Sequence, residues 1–110
     1  MALRRMLTQT VGVRRFNPSG LDEYGNPVES WDPPVSHPAR LEQTGGEEMT
    51  TQRNVQIGDW RLFLLPDVAI GGRDRVEADG ETFEVVGPPV VQRAPRGAHH
   101  IEANLQHVEF

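Results

Sequence analysis

Turn-forming sequence recurs about every ten residues along this chain and leaves no room for long elements. Nine prolines and eleven glycines supply it, in Asn17-Pro18-Ser19-Gly20, Gly25-Asn26-Pro27, Asp32-Pro33-Pro34, Pro66, Asp79-Gly80 and Gly87-Pro88-Pro89 among others. Proline fixes φ and donates no hydrogen bond, and glycine admits positive φ, so these clusters interrupt helix and strand alike. Between them lie short runs with apolar residues at alternate positions, the period of a half-buried strand.

Leu7, Val11 and Val13 share one face and predict a strand over 7–15. A short strand over 28–31 is expected after the Gly25-Asn26-Pro27 turn, stopped by Asp32-Pro33-Pro34. Residues 39–43 alternate again, with Ala39 and Leu41 inward. The most apolar window is 60–65, where Trp60, Leu62 and Leu64 share one face while Phe63 and Leu65 lie beside Arg61 on the other. A strand apolar on both faces is central or covered by a neighbouring chain. Asp79-Gly80 between alternating runs predicts a type I′ hairpin of 75–78 with 81–86. Gly87-Pro88-Pro89 should close it. After a polar stretch over 92–97, a last strand over 99–108 puts Ile101, Ala103 and Leu105 on one face. The expectation is an all-β chain: a small β-barrel or sandwich of about six short strands with one long loop.

That loop spans 43–54. Thr44-Gly45-Gly46-Glu47 has capping-box spacing, so 47–53 reads equally as a turn or two of helix or as a plain loop. Met49 is its one apolar residue. Such a segment gains little by packing on its own barrel and is the expected moving part.

With 110 residues, 36% of them hydrophobic, the chain has one domain with one modest core, preceded by an arm over 1–6. Oligomerisation is a usual remedy for so thin a core. Trp31 and Trp60 should anchor it, with one of the two a candidate to face a neighbour. The formal net charge is −5, and all eleven basic residues are arginine. Arginine's planar fork suits protein interfaces, and the negative balance argues against tight nucleic-acid binding. The absence of cysteine excludes disulfides, thiolate nucleophiles and Cys-type zinc sites. No apolar run approaches the ~20 residues that span a bilayer, so no membrane partner is expected. Met1-Ala2-Leu3-Arg4-Arg5-Met6-Leu7 has no apolar region of a signal peptide behind it. A protein made and used inside a cell fits these features.

Little in the sequence carries chemistry. His99 and His107 on one strand would stand about 27 Å apart at ~3.4 Å per residue, and adjacent His99 and His100 should point to opposite faces. His37 stands alone, so no metal site is expected. Gly71-Gly72-Arg73 lacks the lysine and the strand–helix context of a phosphate loop. The three serines, Ser19, Ser30 and Ser36, stand near turns without a nucleophile-elbow sequence. The expectation is a protein without cofactor that is not an enzyme.

An ordered set of segments carries a resemblance: a strand ending in Arg14-Arg15-Phe16, then Asp22-Glu23-Tyr24-Gly25-Asn26 with Trp31 behind it, Ala39-Arg40-Leu41-Glu42 before Gly45-Gly46-Glu47, the apolar strand over 60–65, and Asp74-Arg75-Val76 leading to Asp79-Gly80-Glu81-Thr82-Phe83-Glu84-Val85. Across nearly the whole chain this resembles the head-closure proteins of long-tailed phages, also called head–tail joining proteins or head-to-tail stoppers. One departure is that the family's apolar strand often carries a basic pair, where this chain has only Arg61. The resemblance implies a small β-barrel assembled as a homo-oligomeric ring, a hexamer or dodecamer, in the neck of the virion. An adaptor and portal ring would lie above it and a tail terminator or tail tube below. Packaged DNA would pass its channel without sequence-specific binding, which a negative lumen favours by keeping phosphate from sticking. Assembly would take place in the host cytoplasm. The candidate interface or gating residues are Glu47, Glu48, Met49, Gln52 and Arg53 of the loop, Arg61 and Phe63 of the apolar strand, and Arg75. The alternatives are a tail terminator or other neck protein of the same virion, or a small intracellular ligand-binding barrel.

Overall fold

In the computed structural model, which describes residues 6–44 and 60–108, six strands form: β1 (Gln9–Arg14), β2 (Val35–Gln43), β3 (Trp60–Leu64), β4 (Arg75–Ala78), β5 (Glu81–Ala94) and β6 (Gly97–Val108). Alternating sequence becomes alternating burial on β1, β3, β4 and the parts of β5 and β6 that belong to the barrel wall. All neighbours are antiparallel, and the sheet closes on itself in the order β1-β2-β3-β6-β5-β4. Closure leaves the barrel wall without a free edge strand.

Each strand sends its apolar face into the interior: Val11 and Val13 from β1, Ala39 from β2, Leu62 and Leu64 from β3, Val76 from β4, Phe83 and Val85 from β5, and Ile101, Ala103 and Leu105 from β6. The Leu and Val side chains among them contribute roughly 1.5–3 kcal/mol each when fully buried. Trp60 and Leu41 are half-buried against this core, and Trp60 sets its ring edge-on to Phe83 at 5.3 Å between centroids. The inward faces of β2, β3 and β6 are those the alternation predicted.

The β4–β5 hairpin has the expected turn. Asp79 (φ 52°) and Gly80 (φ 79°) both take positive φ, as a type I′ turn requires, and Ala78 pairs with Glu81. Three other expectations need correction. First, Gly87-Pro88-Pro89 does not end β5. Between Val86 and Val90, β5 advances four residues while β6 moves only from Asn104 to Glu102. The surplus forms a bulge with Gly87 at φ 74°, where prolines are tolerated because the bulged residues leave the ladder. Beyond it β5 runs on to Ala94, through part of the stretch expected to be irregular.

Second, 28–31 is not a strand of the barrel. It pairs locally with 16–20 through Asn17 N–Ser30 O (2.7 Å), Ser19 N–Val28 O (3.0 Å) and an isolated bridge at Phe16–Trp31, and a further bridge at Leu21–Pro27 continues the pairing outward. Third, β2 starts at Val35 and includes Pro38. That proline is accommodated because β2 meets β3 only from Ala39 onward, leaving Pro38 at a local edge.

The register also gives the barrel two unlike ends. At the upper end lie the end of β1, the start of β2, the end of β3 and the start of β4. From it emerge the 15–34 excursion, the 65–74 connection and the outer halves of β5 and β6. At the lower end lie Gln9, Gln43, Trp60 and the Asp79-Gly80 turn. The expected long loop therefore joins two lower-end strand termini. The loop residues Glu47, Glu48, Met49, Gln52 and Arg53, and the arm over 1–6 apart from Met6, lie outside the described residues.

Candidate functional site

Asp74, on the 65–74 connection, organises the upper end. It is only 3% exposed, and a carboxylate there needs partners for its lone pairs. Oδ1 accepts the Phe16 N–H at 2.7 Å. Oδ2 accepts the Gly71 N–H at 2.7 Å and faces Arg15 Nε at 2.7 Å. Its own carbonyl accepts from Val85 N at 3.0 Å. One side chain thus ties the exit of β1 to the connection, and its backbone ties the connection to β5.

Around this staple, arginines and aromatics interleave. Arg73 lies over the Phe16 ring at 4.1 Å, Phe16 meets Trp31 edge-on at 5.5 Å, and Arg75 lies over the Trp31 ring at 3.8 Å. Trp31 Nε1–H donates to the Arg73 carbonyl at 2.8 Å. Arg14 clamps the returning limb, donating from Nε to Asp32 O (2.7 Å) and from Nη2 to Trp31 O (3.0 Å). Cation–π contacts of this kind contribute about 0.5–2 kcal/mol each, depending on burial. Arg75 Nε is buried without a hydrogen-bond partner among the described residues, and the guanidinium stacks on Trp31.

This joint fixes the base of the excursion and leaves its tip in solvent. Asp22 Oδ1 accepts from both Tyr24 N and Asn26 N at 2.9 Å, closing an Asx-type turn. Leu21 and Tyr24 beside it are 69% and 80% exposed. An open hollow of about 430 Å³ lies at the same end, between Val13 and Val35 on one side and Leu65 and Val68 on the other.

The second projection is the arm made by β5 and β6. β5 leaves β4 after Glu84, and β6 meets β3 only from Ile101, so past these points the two strands have only each other. A two-stranded ribbon is marginal alone. Val90 and Val91, at its base opposite Glu102 and Ile101 of β6, are 52% and 38% exposed. A second register shift, between Gln92 and Arg93, leaves His99 without a cross-strand partner. A bulge breaks the alternation, which corrects the expectation that His99 and His100 point apart. Their Nδ1 atoms meet at 2.8 Å, while His100 Nε2 reaches Glu102 Oε2 at 2.9 Å. His107 sits at the far end of β6, against Glu81. Among the described residues no group of three or more His, Asp or Glu is placed to hold a metal ion.

The remaining sequence-predicted residues fall in two places. Arg61 and Phe63 face outward from β3. Phe63 is half-buried, in register with Arg40 and Glu102 and 5.7 Å from the His100 ring, while Arg61 is exposed between Glu42 and Asn104. Arg75 belongs to the upper-end joint, with β6 and β5 between β3 and its own strand. The fold does not bring these three together. Sequence reasoning missed Asp74 and the arm.

No family model matches the sequence, and no curated protein matches it. Among solved structures the barrel is similar to the solution structure of protein SF1141 from Shigella flexneri 2a, with a TM-score of 0.63 and 17% identity, covering 90% of this chain and 92% of that one. At that identity the likeness speaks for the fold, a small closed all-β barrel, and for nothing further.

Proposed function

We propose that this chain is a head-to-tail stopper, a structural subunit of a ring in the neck of a tailed phage that retains packaged DNA and docks the tail. The observation that carries the proposal is the two-ended character of the barrel. The excursion, the connection and the arm crowd one end, and the β2–β3 linking segment joins strand termini at the other. A ring between two different partners, portal and adaptor on one side and tail on the other, requires a subunit with unlike ends. The interior is filled by core side chains, which leaves the outside of the barrel to do the work. Exposed Leu21, Tyr24, Val28 and Val90 are surface that association would cover.

In this reading Arg61 and Phe63 lie on the outer wall available to a neighbouring subunit, and the five loop residues supply the contact toward the channel or the next ring. The test is DNA retention. DNA-filled heads that lack the protein are incubated with it, challenged with nuclease, then offered tails. Retained DNA and tailed particles are expected. Leakage unchanged by the protein contradicts the proposal, and tails capped at their upper end with no effect on heads would make it a tail terminator.

A further inference from the structure

Two projections leave the upper end of the barrel, and their charges oppose each other within one acidic chain. From Arg15 to Arg40 there is no arginine between, and four carboxylates (Asp22, Glu23, Glu29, Asp32) fall in the excursion. From Glu84 to Glu102 there is no acidic residue between, and Arg93 and Arg96 lie near the tip of the arm. Each projection also shows apolar surface, Leu21 and Tyr24 on one and Val90 and Val91 on the other.

Their positions give this complementarity a direction. In the strand order β1-β2-β3-β6-β5-β4 the β1–β2 seam and the β6–β5 seam are opposite one another. The excursion joins β1 to β2 and the arm joins β5 to β6, so the two leave the same end of the barrel from opposite sides. The exposure of both apolar pairs means that neither covers the other within one chain. A contact between unlike patches on opposite sides of a subunit is heterologous, and it propagates copy to copy until rotation closes it into a ring. Both patches sit at the same end, so neighbours meet side by side with the same polarity.

We infer that the basic β5–β6 arm of one copy docks on the acidic tip of the 15–34 excursion of the next copy, and that this is the lateral contact of the assembly. The inference rests on the ring reading above and names the surface that builds the ring. Val90, on the outward face with Glu102, would meet Leu21 and Tyr24, while Arg93 and Arg96 meet Asp22 and Glu23. Pairing of this kind sets register and partner choice as much as affinity.

The native chain has no cysteine, so crosslinking is clean. Full-length protein carrying both Tyr24→Cys and Val90→Cys is oxidised at assembling concentration and run without reductant, beside each single variant. In parallel the unmodified chain is imaged by electron microscopy. A covalent ladder extending beyond the dimer is expected from the double variant only. In sedimentation, Arg93→Glu with Arg96→Glu should weaken association at least ~10-fold, and adding Asp22→Arg with Glu23→Arg should restore much of it. Rings that form in the unmodified chain, with no ladder and no effect of charge reversal, overturn the arm contact and leave the ring reading standing. A ladder without rings supports the contact and removes the closed ring. A chain that neither crosslinks nor forms rings overturns both.

Discussion

Removing the carboxylate of Asp74 tests whether one buried side chain holds the upper end together. In Asp74→Ala the Phe16 and Gly71 N–H groups lose acceptors at 2.7 Å, and both lie in partly buried surroundings. A buried donor left unsatisfied costs about 1–3 kcal/mol, so the pair costs roughly 2–6 kcal/mol. The Arg15 partner adds little, because its side chain is 49% exposed and water replaces the lost ion pair. A domain of this length has about 5–15 kcal/mol of stability in total. At roughly 4 °C or more per kcal/mol, melting should fall by on the order of 10–20 °C. Asp74→Asn keeps one carbonyl acceptor and should lose about half as much. Thermal unfolding followed by circular dichroism gives the numbers. Hydrogen exchange should speed first at the backbone amides of Asn17, Ser19 and Asp32, which pair across the excursion. An Asp74→Ala protein that melts within about 2 °C of the parent would refute the reasoning, since the magnitude rests on ordinary costs of unsatisfied donors.

Other perturbations separate stability from assembly. Trp60→Ala, which removes the ring packed on Phe83, should cost about 3 kcal/mol, the lower part of the range for aromatic truncation because Trp60 is only half-buried; unchanged chemical denaturation would place its contribution elsewhere. Arg75→Lys keeps charge but loses planar stacking on Trp31, so a loss of about 1 kcal/mol is expected, visible as quenching changes in Trp fluorescence. Gln43 and Trp60 are paired across β2 and β3, so replacing 46–53 by a tight turn should leave melting unchanged while heads leak or fail to gain tails; infectious particles of normal yield would show that the closing contact lies elsewhere.

What could be read from the sequence was local. Asp79-Gly80 announces its turn because two adjacent residues alone set the backbone there, and Ile101, Ala103 and Leu105 announce their face by spacing alone. The misreadings share a cause, which is that the deciding partner is far along the chain. Pro88 and Pro89 looked like a stop because proline lacks a donor, but a bulge against β6 removes the need for one. Pro38 is acceptable only because β3 ends at Leu64 and leaves that part of β2 unpaired on one side. Residues 28–31 carry strand-like sequence and do pair, yet with 16–20 rather than with the barrel. Arg75 could be singled out from the sequence as an interface candidate, but its position over Trp31 depends on two segments 44 residues apart meeting at one end of the barrel.

The proposed function stands or falls on whether copies of this barrel close into a ring. The direct measurement is electron microscopy of the purified full-length chain at increasing concentration, with class averages taken along the particle axis and a mass determination on the same sample. The account predicts closed rings of six or twelve subunits around a channel, all carrying their arms toward one side. A monomer at every concentration, or open filaments that never close, would contradict it.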